Sequence, residues 1–207
     1  MTNKVVVAGV GMTPFVKPGT SEPYDVLGAT AIRMALEDAG VSYDKIQQVY
    51  AGYVYGDSTS GQRSCYQVGM TGVPVINVNN NCATGSSALF LARQAIEAGA
   101  IDCALAFGFE QMAPGALVEH WQDRPGPLDR FQEAIEKSMG KSDVPMALKI
   151  FGGAGQAHMD KYGTKPETFA MVRAKASRHA IHNERAIFRS ELSVEDVLQS
   201  PSVYLML

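Results

Sequence analysis

Between Lys4 and Glu110, short apolar runs alternate with longer segments of helical periodicity. Lys4 to Ala8, Gln48 to Val54, Val73 to Val78 and Asp102 to Phe109 are compact and mostly rich in β-branched and aromatic residues, which predicts four strands. After the first of them, Leu27, Ala31, Met34 and Ala35 recur at helical spacing. Ser21-Glu22-Pro23 offers this helix an N-cap and an early-turn proline, and Gly40 suits the position just past its end. The polar loop Gly56 to Gly61 leads to a short helix near Gln62 to Met70. A further helix over Gly85 to Gly99 carries Ala, Leu, Phe and Ile around most of its circumference. Arg93 and Glu97 lie on one i, i+4 row, so the helix is expected to be mostly buried. The β-α-β-α-β-α-β order predicts a layered α/β fold with helices on the faces of a sheet.

The pattern changes after Glu110. Ala113 to Gly140 reads as irregular, with Pro114, Pro125 and Pro127 and the group His120-Trp121-Gln122, the kind of long insertion that is often functional. Asp143 to Lys161 reads as a helix interrupted by Gly152-Gly153-Ala154-Gly155. Thr164-Lys165-Pro166-Glu167 is a capping-box sequence opening a helix with Phe169, Val172, Ala176 and Ala180 on one face. Ser193-Val194-Glu195-Asp196 is expected to cap a short last helix before Pro201. The run Ser202 to Leu207 is apolar and β-prone and stops without a turn or polar tail, as an element cut midway would. The expected division is an α/β domain over residues 1–111, a mainly helical insertion over 112–190, and a return toward the core over 191–207.

Composition narrows the function classes. With 207 residues and 46% apolar content the chain can build a real core. A formal net charge of −3 leaves no electrostatic footprint for nucleic acid, and no apolar run is long enough for a membrane-spanning helix. Met1-Thr2-Asn3-Lys4 enters an apolar run at once, so no export signal is expected there, and a cytoplasmic (bacterial) or peroxisomal location is expected over secretion. Charge is uneven. Between Pro145 and Ser190, Lys149, Lys161, Lys165, Arg173, Lys175, Arg178, Arg185 and Arg189 oppose Asp160, Glu167 and Glu184, eight against three, or net +5. Such a segment is either an ordinary solvated face or a surface for the phosphates of a nucleotide-like carrier.

Of the three cysteines, Cys82 stands apart. It lies where the run Val73 to Val78 gives way to a helical pattern, in Asn79-Asn80-Asn81-Cys82-Ala83-Thr84-Gly85-Ser86-Ser87. A thiol beside a helix N-terminus faces unpaired backbone amides and the positive end of the helix dipole, which favour thiolate, the reactive species. Small side chains flank it, and Gly85 would let a ligand come close to the backbone. The competing reading is a small buried hydrophobe, the usual fate of a free cysteine; the strand-turn-helix context favours a nucleophile. Cys65 and Cys103 lack that context and read as structural. With no CxxC pair there is neither a disulfide framework nor a zinc pattern. His120, His158, His179 and His182 are not at metal-ligand spacing, so no metal is expected. Gly9-Val10-Gly11 lacks the third glycine of a dinucleotide fingerprint, and no Walker-type loop is present.

Pro74-Val75-Ile76-Asn77-Val78-Asn79-Asn80-Asn81-Cys82-Ala83-Thr84-Gly85-Ser86 resembles the nucleophile region of thiolases, most closely the sterol-carrier or lipid-transfer type. Gly9 to Phe15, Gly52 to Thr59, Gly69 to Gly72, Ala106 to Glu110 and His158 to Thr164 are similar to the same subgroup, so the resemblance spans most of the chain. It is loose between Ala113 and Gly140. Near Ile181-His182-Asn183-Glu184-Arg185 the chain departs from the subgroup's usual Asn-Pro-containing stretch.

The resemblance implies a layered α/β/α half with a mixed sheet and an inserted, mainly helical loop domain. It implies that Cys82 takes an acyl group from a 3-oxoacyl-coenzyme A of lipid or sterol side-chain type, with the Cys82 backbone amide as one oxyanion donor. The loop domain would hold coenzyme A, with Phe151 where the family lines the pantetheine arm, although the residue type differs. Coenzyme A thioester would be substrate, with no further cofactor. The family's second half, which bears an acid/base cysteine and histidine motifs, has no counterpart here. The isolated chain is therefore expected to be inactive unless another chain supplies that half, and a homodimer or such a partner is expected. Two other readings stand beside this one: a noncatalytic acyl-CoA or lipid-binding scaffold subunit, and a steroid side-chain aldolase subunit.

Overall fold

The computed structural model describes residues 4–115, 121 and 123–203. His120, Gln122 and Tyr204 to Leu207, the end of the apolar run noted above, lie outside the described residues. The chain divides into two compact units, Met1–Pro114 and Gly115–Leu207.

In the first unit, helix α1 (Tyr24–Ala39) precedes strand β1 (Gln48–Gly52), helix α2 (Ser60–Tyr66), strand β2 (Val75–Val78), helix α3 (Thr84–Glu97) and strand β3 (Ala104–Gly108). The strands form one sheet in the order β2-β1-β3. Both pairings are parallel, with Tyr50 opposite Ile76 on one side and Ala106 on the other. Parallel strands need crossover connections, and the helical periodicity between the runs supplies them. A mixed sheet was expected; among the described residues the sheet is parallel throughout.

Alternation along β1 and β3 sorts their side chains to two faces. Val49, Ala51, Leu105 and Phe107 point to the side covered by α1 and α2, where Ile32 and Cys65 join them. Tyr50, Ala104 and Ala106 point to the side where Ala88 and Ala92 of α3 pack. This is the expected layered α/β/α arrangement. Ile32 and Val49 are fully buried, which contributes about 2 kcal/mol each from apolar burial. The two sides are not equally filled. Only a narrow stripe of α3 meets the sheet, leaving Leu89 54% and Phe90 57% exposed. The helix expected to be mostly buried therefore has a second, solvent-facing apolar side.

Lys4 to Ala8 forms no strand. The residues that follow meet α1, where Gly9 and Gly11 lie so close to the backbone of Ala31, Ala35 and Ala39 that no side chain fits at either glycine. The Val10 amide donates to the Asp38 carboxylate at 2.8 Å. Val6 and Val7 stay exposed. Extended, β-branched sequence was present, but pairing requires a neighbouring edge, which a single-sequence pattern does not reveal.

Helix α1 starts one residue after Pro23, which occupies the N-cap without a side-chain bond; Ser21 does not cap it. The Tyr24 amide is satisfied instead by Gln111 Oε1 at 2.9 Å. Its most buried residues are Asp25, Gly28, Ala29 and Ile32 rather than the Leu27 to Ala35 row. Asp25 anchors α2: its Oδ2 accepts from Gln67 Nε2 at 2.9 Å and from Arg63 Nε at 3.0 Å.

In the second unit, α4 (Asp129–Met139), α5 (Met146–Tyr162), α6 (Pro166–Ala180) and α7 (Val194–Leu198) follow one another. Residues 113–140, expected to be irregular, thus contain α4, whose Phe131, Ile135 and Met139 recur every fourth position. Nor is α5 interrupted by its glycines. Gly152 and Gly153 are buried, and a Cβ on Gly153 would lie 2.7 Å from the Met139 sulfur, so the glycine makes room for that side chain of α4. The capping box at Thr164 does not form: Lys165 is the N-cap without a side-chain bond, and Pro166 takes the first turn. Ala170, Ala174 and Ser177 form the buried face of α6, whereas Val172 is exposed. The expected cap at Ser193 is present, with Asp196 reciprocating as a capping box.

Hydrogen bonds from Gln67 first, then from Arg63, hold the Asp25 carboxyl below its ordinary value. Its contribution to stability is complete above about pH 4, the unfolded carboxylate's range, and is lost as pH falls through the lower folded value. Asp25→Asn is therefore expected to be less stable than the parent at pH 6 and to lose less stability between pH 5 and 2, read as thermal midpoints by circular dichroism.

Candidate functional site

The C-terminal ends of parallel strands are where α/β folds place their ligands, because the loops and helix N-termini gather there. Here β2 runs out at Val78 and α3 begins at Thr84, with Ala83 as its N-cap. Cys82 sits in the turn between them and is exposed. It thus precedes the helix by two residues, a little farther out than a thiol on the first turn itself.

The turn is tightly tied. Asn81 has φ 46°, left-handed, where asparagine is among the few non-glycine residues that are tolerated. The Ala83 amide donates to the Asn80 carbonyl at 3.0 Å, and the Thr84 amide to the Asn81 carbonyl at 3.0 Å. The Thr84 hydroxyl also donates to the Asn81 carbonyl, at 2.6 Å, and accepts from the Asn80 amide at 2.8 Å. Asn80 Nδ2 donates to Ser87 Oγ at 2.9 Å, fastening the turn to the first turn of α3.

Beneath the turn, the strand ends are shaped by glycine. A Cβ on Gly52 would lie 2.9 Å from Thr84 Cγ2, so only glycine lets Thr84, itself buried, settle on the end of β1. The loop after β1 is fixed by Glu110, which accepts from the Val54 amide at 3.0 Å and the Tyr55 amide at 2.8 Å. Beside Gly85, by contrast, there is open space. A groove of about 290 Å³ elsewhere in this unit is lined by Met12, Phe15, Leu27 and Phe109 among others and does not include Cys82.

The other thiols differ from Cys82. Cys65 is buried against the sheet, and burial pushes its thiol up from the ordinary value. The neighbouring Tyr43 hydroxyl is likewise raised by burial. Cys103 is half-buried. Phe151 belongs to the second unit, on the exposed side of α5 at 68% exposure, away from the buried Gly152 and Gly153. The eight cations between Pro145 and Ser190 do not form one solvated face, since Lys149 is buried. Among the described residues, no group of three or more His, Cys, Asp or Glu is placed to hold a metal ion, and no helix is long and apolar enough to cross a membrane.

Sequence reasoning singled out Cys82 but missed Thr84, Gly52 and Glu110. The run of three asparagines was the signal for a left-handed turn. Nothing local marks Glu110, whose partners lie in the loop after β1, or the packing of Thr84 on Gly52, although the Thr84 hydroxyl finds its hydrogen-bond partners in the adjacent Asn80 and Asn81.

This strand-turn-helix with an exposed cysteine is that of a thiolase N-terminal domain. The family model "Thiolase, N-terminal domain" matches residues 5–196, and the chain belongs to that family. It is 47% identical over 206 residues to sterol carrier protein 2 of Gallus gallus, covering 99% of this chain and 38% of that protein. It is 41% identical over 206 residues to non-specific lipid-transfer protein-like 2 of Caenorhabditis elegans, covering 97% of this chain and 50% of that protein. The chain thus spans half or less of the length of these relatives. Among solved structures, an Ltp2-ChsH2(DUF35) aldolase superposes with a TM-score of 0.73 at 18% identity, covering 96% of this chain and 50% of that one, a likeness of fold.

Exposure and burial order the thiols. Iodoacetamide at pH 7.5 is expected to modify Cys82 first and Cys65 last, as read by peptide mass spectrometry over time. Gly52→Val is expected to cost about 1–3 kcal/mol in urea denaturation by forcing Thr84 off the strand end. Gly85→Ala, with free space around it, is expected to stay within about 0.5 kcal/mol of the parent.

Proposed function

We propose that this chain is the nucleophile-bearing part of an acyl-CoA thiolase acting on 3-oxoacyl-coenzyme A of lipid or sterol side-chain type. The observation that carries the reading is the exposed Cys82, held in a left-handed turn between β2 and α3 in a chain of the thiolase family. In this reading the Cys82 thiolate attacks the C3 carbonyl of the substrate. A carbon–sulfur bond forms, the C2–C3 bond breaks, and its electron pair leaves on C2 as the enolate of acetyl-CoA, which takes up a proton, while the shortened acyl chain stays on sulfur. The acyl group stays on Cys82 until the thiol of coenzyme A displaces it, a step suited to a thiolate because it is both a good nucleophile and a good leaving group. The Cys82 amide donates to the oxyanion.

We assign coenzyme A to the second unit, where exposed cations of α5, α6 and the following loop suit its phosphates and Phe151 offers an apolar surface to the pantetheine arm. The general acid/base and the remaining oxyanion donor belong to the portion of the longer relatives that this chain does not span, and a partner chain supplies them; a homodimer of this chain is the other assembly. The site of action is cytoplasmic or peroxisomal. A second reading, a noncatalytic acyl-CoA or lipid-binding subunit, is favoured by the lipid-transfer and sterol-carrier names of the relatives.

The two readings separate in one experiment. After incubation with acetoacetyl-CoA, intact-mass spectrometry is expected to show an acyl adduct on the parent chain and none on Cys82→Ser, with steady-state thiolysis absent from both. A folded chain that binds the thioester without becoming acylated would favour the binding subunit, or a nucleophile that the portion this chain does not span must activate.

A further inference from the structure

The Thr84 hydroxyl does more than begin a helix. A threonine at the first helical position ordinarily turns its side chain to solvent or bonds within its own helix. Here it is buried and reaches backward, bridging two consecutive residues of the turn that precedes Cys82. Its partner is the Asn81 carbonyl, which also accepts the Thr84 amide. That carbonyl belongs to the Asn81–Cys82 peptide. Because a trans peptide is planar, with its C=O and N–H pointing in opposite directions, drawing the Asn81 carbonyl inward onto Thr84 turns the Cys82 N–H away from Thr84. A left-handed Asn81 makes this peptide the strained link of the turn, the one that would rotate if released. The Thr84 methyl against Gly52 fixes the hydroxyl from the other side.

We infer that Thr84 is the positioning residue that holds the Asn81–Cys82 peptide with its carbonyl inward, and so sets the direction of the Cys82 amide toward the reacting oxyanion. The inference rests on the reading of Cys82 as the acyl-accepting nucleophile. Its effect is on transition-state stabilisation rather than on the thiol: an acyl transfer that builds negative charge on a carbonyl oxygen needs the amide, whereas alkylation of the same sulfur does not.

The test uses the 207-residue chain with acetyl-CoA, in which the Cys82 sulfur forms a bond to the acetyl carbon, the bond to the coenzyme A sulfur breaks, and the thiol proton departs with coenzyme A. Thr84→Val keeps the shape and the backbone bond from residue 84 but removes the hydroxyl. It is expected to slow acetylation of Cys82 by about tenfold or more, while the rate of Cys82 alkylation by iodoacetamide stays within about threefold. Thr84→Ser, which keeps the hydroxyl, is expected to restore acetylation to within about threefold of the parent. Equal acetylation by Thr84→Val and the parent, or a parallel fall of acetylation and alkylation, would overturn the inference. A crystal structure of Thr84→Val decides it independently: a rotated Asn81 carbonyl supports it, and an unmoved one overturns it. A parent chain that is alkylated but never acetylated defeats acyl transfer by the isolated chain, and the orientation of that peptide then still decides the role of Thr84.

Discussion

The first unit is organised around one close approach, the seating of the first turn of α3 on the end of β1 through Thr84 and Gly52. The same glycine lies against β3: a Cβ on Gly108 would lie 2.7 Å from the Gly52 carbonyl oxygen. Three elements therefore converge on one residue without a side chain. Their convergence places the turn after β2 at the mouth of the sheet, where the loops from all three strands meet. A left-handed asparagine costs conformational energy, and it persists because the hydrogen bonds to Thr84 and the packing below over-determine the turn. Cys82 is exposed together with the rest of the turn, Asn79 to Ala83, above the buried Thr84.

The layers on the two sides of the sheet are held differently. On the α1 and α2 side, aromatic and aliphatic residues from every strand interlock, with Phe109 stacked on Tyr53 at 5.0 Å between ring centroids. Polar ties reinforce that side: Asp25 joins α1 to α2, and Asn77 on β2 accepts from the Gly61 amide at 3.0 Å while donating to Gln62 at 2.8 Å. On the other side α3 meets the strands through alanines, which bring the helix close but bury little area. Leu89 and Phe90 are left on its outer surface. The chain spans half or less of the relatives it matches, and this outward apolar face is the feature that distinguishes α3 from an ordinary amphipathic helix.

In the second unit small residues again set the distances between helices. Gly153 makes room for the Met139 side chain of α4, and Ala170, Ala174 and Ser177 form the inner face of α6. Ser177 repeats at a structural level what Thr84 does at the candidate site: its hydroxyl donates to the Ala174 carbonyl at 2.7 Å and accepts the Leu192 amide at 2.9 Å, tying the segment before α7 to α6. In both cases a hydroxyl next to the backbone takes up an amide, that of Asn80 or of Leu192, that lies outside helix and sheet.

Local information determined a good deal of this protein. Periodicity was enough for α1, β1, β2, α3 and β3 to within a few residues, the Ser193 cap was readable from four letters, and the composition around Cys82 was enough to single it out. Resemblance along the chain carried the family. What sequence could not supply were the facts that depend on a second element. Lys4 to Ala8 has the residues of a strand, yet becomes one only beside an available edge. The glycines of α5 look like breakers until the Met139 side chain of α4 is seen against Gly153, and the Thr164 motif looks like a cap until Lys165 takes its place. Thr84, Gly52 and Glu110 are unremarkable letters whose roles come from partners several to dozens of residues away. Propensity and periodicity act over a few neighbours, so they settle which elements form; close approach, peptide orientation and exposure are relations between elements, and only the tertiary structure decides those.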